Sequence, residues 1–422
     1  MRASGAWLWV VVALAGALVL GLLATNRGYF GTEELDLLDE LVDGPWFRLA
    51  WFGEFAQQHY RPLGDTALRS QLGIFGDEPR VIHSLSVLHH LANVGLLALL
   101  LERLGPRGRL ALLALLLPVA APGVAWAAGA CDRLACTWLL AAALLLTARG
   151  ALCRFALPCV LLALASKESA IAFVVPALLL AWRRRRDADR RWIFATTGAI
   201  AVVAVVFTLW RLRVASLPAT ATPANDSGAA LELLRCLAFP FALGAADPAA
   251  VSGPYWLGGA GSLALLAIAL CGAPWLALAG LACAAAPLLL GAVVPQLDAD
   301  SLYLATPGCI LLVAAASRCR GGAARVVLGA LLALCTVQSL LLAAHYRQAG
   351  FALDNLRQAH ARASGLEHFD IYCAPGSPSS IAERFVLHGE HRGLQPRPRR
   401  VQVEAPRAFV LEAEGSVRQL PQ

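Results

Sequence analysis

The chain has 422 residues, of which 58% are hydrophobic and only 15% charged, and its mean hydropathy is +0.63. An ordinary soluble domain is about half apolar and about a quarter charged, so this composition excludes that class and predicts an integral membrane protein. The formal net charge of +7 does not predict nucleic-acid binding, because the arginines gather in short loops between apolar runs, where they set membrane orientation.

Eleven apolar runs of roughly membrane-spanning length follow one another along the chain. They are 6–24, 83–103, 109–128, 134–148, 151–166, 169–182, 192–210, 256–273, 275–294, 302–317 and 325–345. The first run is longer than the apolar part of a typical signal peptide, which favours an uncleaved helix over a cleaved leader. We therefore predict an all-α integral membrane protein with about 11 transmembrane helices.

The arginines predict how these helices are oriented. Arginine-rich loops at 103–109, 149–154, 183–191 and 318–325 fall on one side, which the positive-inside rule makes cytoplasmic. The other side receives the segments 25–82, 211–255 and 346–422. We expect a transmembrane domain over 1–345, with 25–82 as its first outer loop, and a small extracytoplasmic C-terminal region over 346–422 that includes a β-like run at 409–411.

The first outer loop has an amphipathic pattern. Residues 33–58 place leucines at helical spacing among acids and then present five large aromatic side chains. Helices that lie in the membrane interface combine these features, so we predict interfacial helices here. A solvated loop is the alternative, and it would leave those aromatics exposed.

The second run carries polar residues on one face. His83, Ser86, His90 and Asn93 fall within an arc of about 80° on a helix of 100° per residue. Polar side chains at membrane depth face the protein interior or a water-filled cavity. Hydrogen bonds that only hold helices together are the alternative for this face.

Further polar groups interrupt the apolar sequence at the predicted outer ends of helices. They are Glu33, Glu34 and Asp36 with Arg61 in the first loop, Asp132 with Arg133, Lys167 with Glu168, and Tyr303 after Asp298 and Asp300. Lys167 is the only lysine of the chain. Together these groups predict a shared cavity that opens outward, although Lys167 and Glu168 are also compatible with a purely structural ion pair.

These residue types suit transfer of a group from a phosphate. Glu33, Glu34 or Asp36 could accept the proton of an attacking hydroxyl. Arg61, Arg133 and Lys167 could hold a phosphate, the arginines in bidentate fashion and the lysine as a point charge. The eleven cysteines are scattered with no spacing that suits zinc. We therefore predict no metal site and no cofactor, with a requirement for divalent cations left open.

Several of these stretches resemble a known family. The run 60–69, YRPLGDTALR, followed by 83–93, HSLSVLHHLAN, resembles the first outer loop and second helix of the GT-C class of membrane glycosyltransferases. The similar branch is that of the transmembrane O-mannosyltransferases that bear tetratricopeptide repeats. Further matches in the expected order are 129–134 with Asp132, 164–171 around Lys167 and Glu168, and 302–308 with Tyr303. The resemblance covers about residues 25–310, and no such repeats follow.

The resemblance implies a polyprenyl-phosphate sugar, possibly of mannose, as donor at the outer face of a bacterial inner membrane. The acceptor would be a glycan, a lipid or a protein. It places the catalytic acid at Glu33–Glu34, where the family has a pair that begins with aspartate. The N-terminus would be cytoplasmic and the C-terminus extracytoplasmic. A catalytically inactive subunit of envelope glycan assembly and a lipid or solute transporter are the alternatives.

Overall fold

The computed structural model shows a predominantly helical chain. It describes residues 4–26, 61–75, 78–105, 107–126, 129–214, 235–236, 238–243, 255–293, 299–362, 370–373, 397–398, 408–411 and 417–419. Apolar helices account for most of this part, as the composition requires. Glu33, Glu34 and Asp36, and the predicted interfacial helices of 33–58, lie outside the described residues.

The α-helices and strands follow one another in this order. The helices are α1 (Ser4–Ala24), α2 (Pro62–Phe75), α3 (Pro79–Leu104), α4 (Ala121–Ala125), α5 (Ala130–Thr147), α6 (Ala156–Ser166), α7 (Val174–Arg183), α8 (Arg190–Val214), α9 (Tyr255–Gly272), α10 (Pro274–Val293), α11 (Thr306–Ala316) and α12 (Gly322–Arg362). Short 3₁₀ segments lie at Gly108–Leu116, Pro118–Ala120, Gly150–Phe155, Glu168–Phe173, Phe239–Phe241 and Ala299–Ala305. The strands are β1 (Asp370–Cys373), β2 (Arg397–Pro398), β3 (Ala408–Leu411) and β4 (Val417–Gln419).

Several helices are long and apolar enough to cross a membrane. Within the described residues there are four: α3, α5, the part of α8 from Arg190 to Trp210, and the part of α12 from Gly322 to Gln348. The number of candidate spans rises to five if the bent pair Gly108–Leu116 and Pro118–Ala125 is counted as one span. The helical membrane class is thus supported in its coarse form, and the number of eleven spans stays a prediction.

The apolar run 109–128 is not one straight helix. Its two halves meet at an angle of 70°. Pro118 explains the break, because proline has no backbone N–H to donate and its ring clashes with the preceding turn. The last helix is longer than predicted, since α12 continues past the predicted boundary at 345 to Arg362.

Arginine-rich loops meet at one end of the bundle. Arg103, near the end of α3, donates to the Leu144 carbonyl, and Arg184 donates to the Leu146 and Ala148 carbonyls at the end of α5. The Asp189 carboxylate accepts from the Gly150 N–H. These contacts place the loops after α3, α5 and α7 together, as the sequence predicted. Which side of a membrane they face stays a prediction.

Small residues allow the closest helix packing in the core. A Cβ added at Gly280 of α10 would lie 2.8 Å from the Leu312 N atom of α11, and one added at Gly308 would lie 2.3 Å from the Ala284 N atom. Such approach of two backbones is typical of helices packed within membranes. Outward faces are apolar instead, for example at Val202 and Val206 of α8, as contact with lipid requires.

The C-terminal region contains a small sheet in the order β2-β1-β3-β4. Strand β1 pairs in parallel with β2 and β3, and β3 pairs antiparallel with β4. The β-like run at 409–411 lies within β3. An all-α description therefore fits the helical part and not this C-terminal region.

Candidate functional site

A buried ion pair joins two helix ends. The Lys167 Nζ lies 3.2 Å from the Asp132 Oδ2. Asp132 belongs to the first turn of α5 and is 0% exposed, while Lys167 follows α6 and is 5% exposed. Buried charges are costly unless they are paired, so each group offsets part of the cost of burying the other.

Lys167 stands at a break within apolar sequence. Its backbone is extended, with φ −157° and ψ 131°, between α6 and the 3₁₀ segment Glu168–Phe173. Its N–H still closes the last turn of α6 on the Ala163 carbonyl, while its own carbonyl accepts from the Ala170 N–H. The chain therefore turns back at this point, and the lysine side chain is presented at the turn and not along a helix face.

The helix α2 brings a stripe of charge to the same place. A charged residue occurs at every fourth position: Arg61 just before α2, and Asp65 and Arg69 within it. All three are buried. Residues four apart lie on one face of a helix. The Asp65 carboxylate is the acceptor 3.9 Å from the Cys131 thiol, which is one residue from Asp132. Helix α2 thus packs its charged face onto the start of α5.

Gly64 sets how closely α2 can approach. A Cβ added there would lie 2.6 Å from the Cys131 Sγ and 2.6 Å from the Ser166 carbonyl oxygen. Real Cβ atoms do not come this close, so any larger residue would have to shift α2 away from α5 and α6. The absence of a side chain at 64 therefore brings Arg61 near the Lys167–Asp132 pair.

The charges of this cluster nearly balance. Asp132 interacts electrostatically with Lys167, Arg61 and Glu168, and Glu168 itself is half-buried. With Arg69 of the same α2 stripe, the three cations, at 61, 69 and 167, equal in number the three carboxylates, at 65, 132 and 168. We call these six residues the ionic cluster. Balanced charge lets the cluster exist in a poorly hydrated place, and an anionic ligand would have to displace part of it.

An apolar cavity of about 60 Å³ lies one turn deeper than the ionic cluster. Cys136 and Leu140 line it from α5, and Ser169 and Phe173 line it from the 3₁₀ segment that follows Lys167. Cys136 is four residues after Asp132, on the same face of α5. An amphiphilic ligand with its polar group at the ionic cluster would therefore have its adjoining apolar part in this cavity.

A separate hydrogen-bond network lies beside the cluster. The Tyr303 hydroxyl lies 2.9 Å from the His90 Nδ1 and accepts from the Asn93 Nδ2 at 3.1 Å. Asn93 also donates to the Arg133 carbonyl at 3.0 Å and accepts from the Thr137 hydroxyl at 2.7 Å. These contacts tie α3 to α5 and to the segment Ala299–Ala305. Such interhelical bonds hold a membrane bundle together.

Arg133 is directed to backbone carbonyls. Its Nη1 donates to the Gly123 carbonyl and, at 3.1 Å, to the Trp126 carbonyl. These are carbonyls at the end of α4, which need donors because a helix end leaves them without partners. The guanidinium thus braces the turn between α4 and α5, while its role as a phosphate ligand stays a prediction.

The structure brings together some of the predicted site residues. Arg61, Asp132, Lys167 and Glu168 lie in the ionic cluster, and His90, Asn93 and Tyr303 lie in the adjacent network. His83 and Ser86 of α3 are buried, as the polar face predicted. The predicted base, at Glu33 or Glu34, and Asp36 fall outside the described residues, so their distance from the cluster stays a prediction.

The sequence interpretation missed four participants. Asp65 and Arg69 belong to the cluster, and His89 and Thr137 belong to the network through a 2.8 Å contact between His89 Nε2 and Thr137 Oγ1. The spacing of charged residues at 61, 65 and 69 was a signal that could have identified Asp65 and Arg69. No comparable spacing marks Thr137, which looks like any polar residue within an apolar run.

Fold and site together describe a helical bundle, with helices able to cross a membrane, that buries an ionic cluster beside an apolar cavity. Among the described residues no group of three or more His, Cys, Asp or Glu side chains is arranged to hold a metal ion. Comparison of the sequence with models of protein families and with curated proteins gives no match in either case.

Proposed function

We propose that the protein is a membrane glycosyltransferase that moves a sugar, possibly mannose, from a polyprenyl-phosphate donor to an acceptor hydroxyl. The observation that carries this proposal is the ionic cluster set directly above an apolar cavity. A polyprenyl-phosphate sugar has the same order of groups, an anionic phosphate joined to an apolar chain, and a cavity of about 60 Å³ can hold only the carbons next to the phosphate. The resemblance of residues 25–310 to GT-C enzymes supports the same assignment.

The reaction requires one bond to form and one to break. The acceptor oxygen forms a bond to the anomeric carbon, and the bond from that carbon to the phosphate oxygen breaks. The lipid phosphate leaves with the electron pair, and the hydroxyl proton passes to Glu33 or Glu34. Its stereochemical course is left open.

Arg61 and Lys167 would stabilise the departing phosphate. Charge that develops on a leaving group is best stabilised by cations fixed in advance in a site of low water content. Both side chains are buried, and Asp132 holds the ammonium in place. Lysine has three donors, so Lys167 can keep its contact with Asp132 while it binds phosphate.

The test uses the full-length protein in membrane vesicles with a tritiated polyprenyl-phosphate mannose, and with the corresponding glucose donor in parallel. We expect transfer of label, or its release as free sugar, with at least one donor. Glu33→Gln with Glu34→Gln and, separately, Lys167→Met should reduce the rate by about 100-fold or more, since removing one such group costs a few kcal/mol of transition-state stabilisation. The exposed substitution Arg320→Gln is the matched control and should leave the rate unchanged.

Two results would contradict the proposal. Unaltered transfer in the double glutamine variant would remove the proposed base. Absence of transfer and of sugar release with every donor, from protein shown to be folded, would favour the inactive subunit of envelope glycan assembly.

A transporter is the second candidate, because the bundle contains interrupted helices. The 70° bend at Pro118 is the kind of discontinuity that lines substrate sites in transporters. In that case the labelled lipid would bind and cross between leaflets with its sugar bond intact. Thin-layer analysis of the recovered lipid separates this outcome from transfer.

A further inference from the structure

A second cavity lies between three helices, and none of its lining residues is part of the ionic cluster. Its volume is about 830 Å³. It lies between the C-terminal end of α1, the first turns of α3 and the middle of α12. Its lining residues are Leu22, Ala24, Thr25, Arg80, Ser84, Ala344, Arg347, Gln348 and Phe351. We call this the arginine groove.

Among the described residues, the lining of the arginine groove has two positive charges and no acidic side chain. Arg80 and Arg347 are exposed, and neither makes an ion pair within the described residues. Other arginines in this part of the chain have internal partners, for example Arg184, which pairs with Asp187, and Arg133, which donates to carbonyls. Arg80 also lies in the first turn of α3, where the helix dipole adds positive potential. The groove is therefore suited to an anion.

The rest of the lining distinguishes a lipid from a free anion. Leu22, Ala344 and Phe351 are apolar and belong to helices whose outward faces are apolar. The polar groups of Thr25, Ser84 and Gln348 stand beside the arginines. An amphiphile that lies along the outside of the bundle would meet both kinds of surface, its head at the arginines and its chain against the helices.

We infer that the arginine groove binds the phosphate headgroup of an anionic membrane lipid. Two guanidinium groups can each donate two parallel hydrogen bonds to phosphate oxygens, and arginine is the residue best shaped for this contact. None of its lining residues belongs to the ionic cluster, and the inference stands whether or not sugar transfer occurs.

The experiment measures binding to the full-length protein in a neutral detergent. Probes are dioleoyl phosphatidylglycerol, dioleoyl phosphatidylcholine and inorganic phosphate, and binding is read by native mass spectrometry and by the shift of the thermal denaturation midpoint. We expect phosphatidylglycerol to bind and stabilise the protein more than either other probe. Arg80→Gln and Arg347→Gln should each weaken its binding by about tenfold, because each removes charge-assisted hydrogen bonds.

The matched control is Arg325→Gln. Arg325 is an exposed arginine of α12 that is separated from Arg347 by roughly 33 Å along the helix, at 1.5 Å per residue. The Arg325→Gln variant should bind phosphatidylglycerol as tightly as the wild type does. Equal loss in the control, or unchanged binding in the Arg80→Gln/Arg347→Gln double variant, would overturn the inference. So would phosphatidylcholine binding as tightly as phosphatidylglycerol, or inorganic phosphate producing the whole effect.

Discussion

Lys167 is the central residue of the ionic cluster. It is the only lysine in the chain, whose other long cationic side chains are all arginines, and it lies buried at the turn between α6 and the next 3₁₀ segment. A compact ammonium on a flexible stem fits this place better than a planar guanidinium. Its partner proved to be Asp132, from a different helix, and not only the neighbouring Glu168.

The first prediction concerns this ion pair. Replacing either partner alone, by Lys167→Met or Asp132→Leu, leaves the other charge buried without its partner and should destabilise the protein by about 3–5 kcal/mol. The double variant Lys167→Met/Asp132→Leu should recover most of that loss, because two apolar side chains need no pairing. Thermal denaturation in detergent measures both effects.

Arg184 and Asp187 provide the matched control for the ion pair. They form a more exposed pair with 2.7 Å between Nε and Oδ2, and exposed pairs contribute at most about 1 kcal/mol. Asp187→Asn should therefore change the denaturation midpoint little. If the double variant at 132 and 167 were as unstable as the singles, lost packing and not an uncompensated charge would be the cause. If the double variant were stable and still transferred sugar, the pair would be structural only.

At the level of secondary-structure elements, helix α2 decides whether the charges meet. It contributes Arg61, Asp65 and Arg69 to the cluster, and at Gly64 it lies close to both Cys131 of α5 and Ser166 of α6. This element carries little apolar surface of its own compared with the long helices, so its position depends on a few contacts. A small displacement of α2 should therefore change the site before it changes the bundle.

The second prediction follows for Gly64→Ala. The added methyl group would overlap the Cys131 Sγ and the Ser166 carbonyl, and overpacking of this kind costs about 1–3 kcal/mol. We expect a lower denaturation midpoint. If the proposed transfer occurs, the rate of sugar transfer should fall by a larger factor than the affinity for the lipid-linked donor.

Gly73→Ala in the same helix is the control. Nothing lies within 4 Å of a Cβ added at Gly73, and alanine is the better helix former by about 1 kcal/mol. This variant should be as stable as the wild type or more so. A similar loss in both variants would show that α2 tolerates no added bulk anywhere, which would remove the special role given to Gly64.

Much of the element pattern was predictable, because apolar runs and arginine-rich loops follow directly from the cost of placing charge in lipid. The polar face of α3 was readable from the spacing of His83, Ser86, His90 and Asn93. The pairing of Lys167 with Asp132 was not, since it depends on how α5 and α6 pack, and residues 35 positions apart carry no spacing signal. The bend at Pro118 was open to prediction from the proline itself.

For the whole molecule, aromatic and basic residues mark one end of the bundle. Within the described residues, guanidinium groups lie over tryptophan rings at five pairs, at 4.0 to 5.1 Å from the ring centres: Arg109 over Trp9, Arg154 and Arg191 over Trp192, Arg183 over Trp275 and Arg185 over Trp182. Tryptophan concentrates at membrane interfaces, and arginine at the cytoplasmic one. The ionic cluster lies at the other end of α5, since Asp132 precedes Leu146 by about 21 Å of helix.

The third prediction is therefore that the arginine–tryptophan end faces the cytoplasm and the ionic cluster faces outward. Cys319 lies just after α11, in the loop beside Arg318 and Arg320, and is free and partly exposed. A membrane-impermeant maleimide should label it in inverted vesicles and not in intact cells, as read by mass spectrometry of its proteolytic peptide. Thr25→Cys at the end of α1 is the counterpart and should show the opposite pattern, because Thr25 is exposed at the other end. Labelling of Cys319 from outside intact cells would reverse the orientation, and with it the side of the membrane on which any lipid-linked donor could reach Lys167.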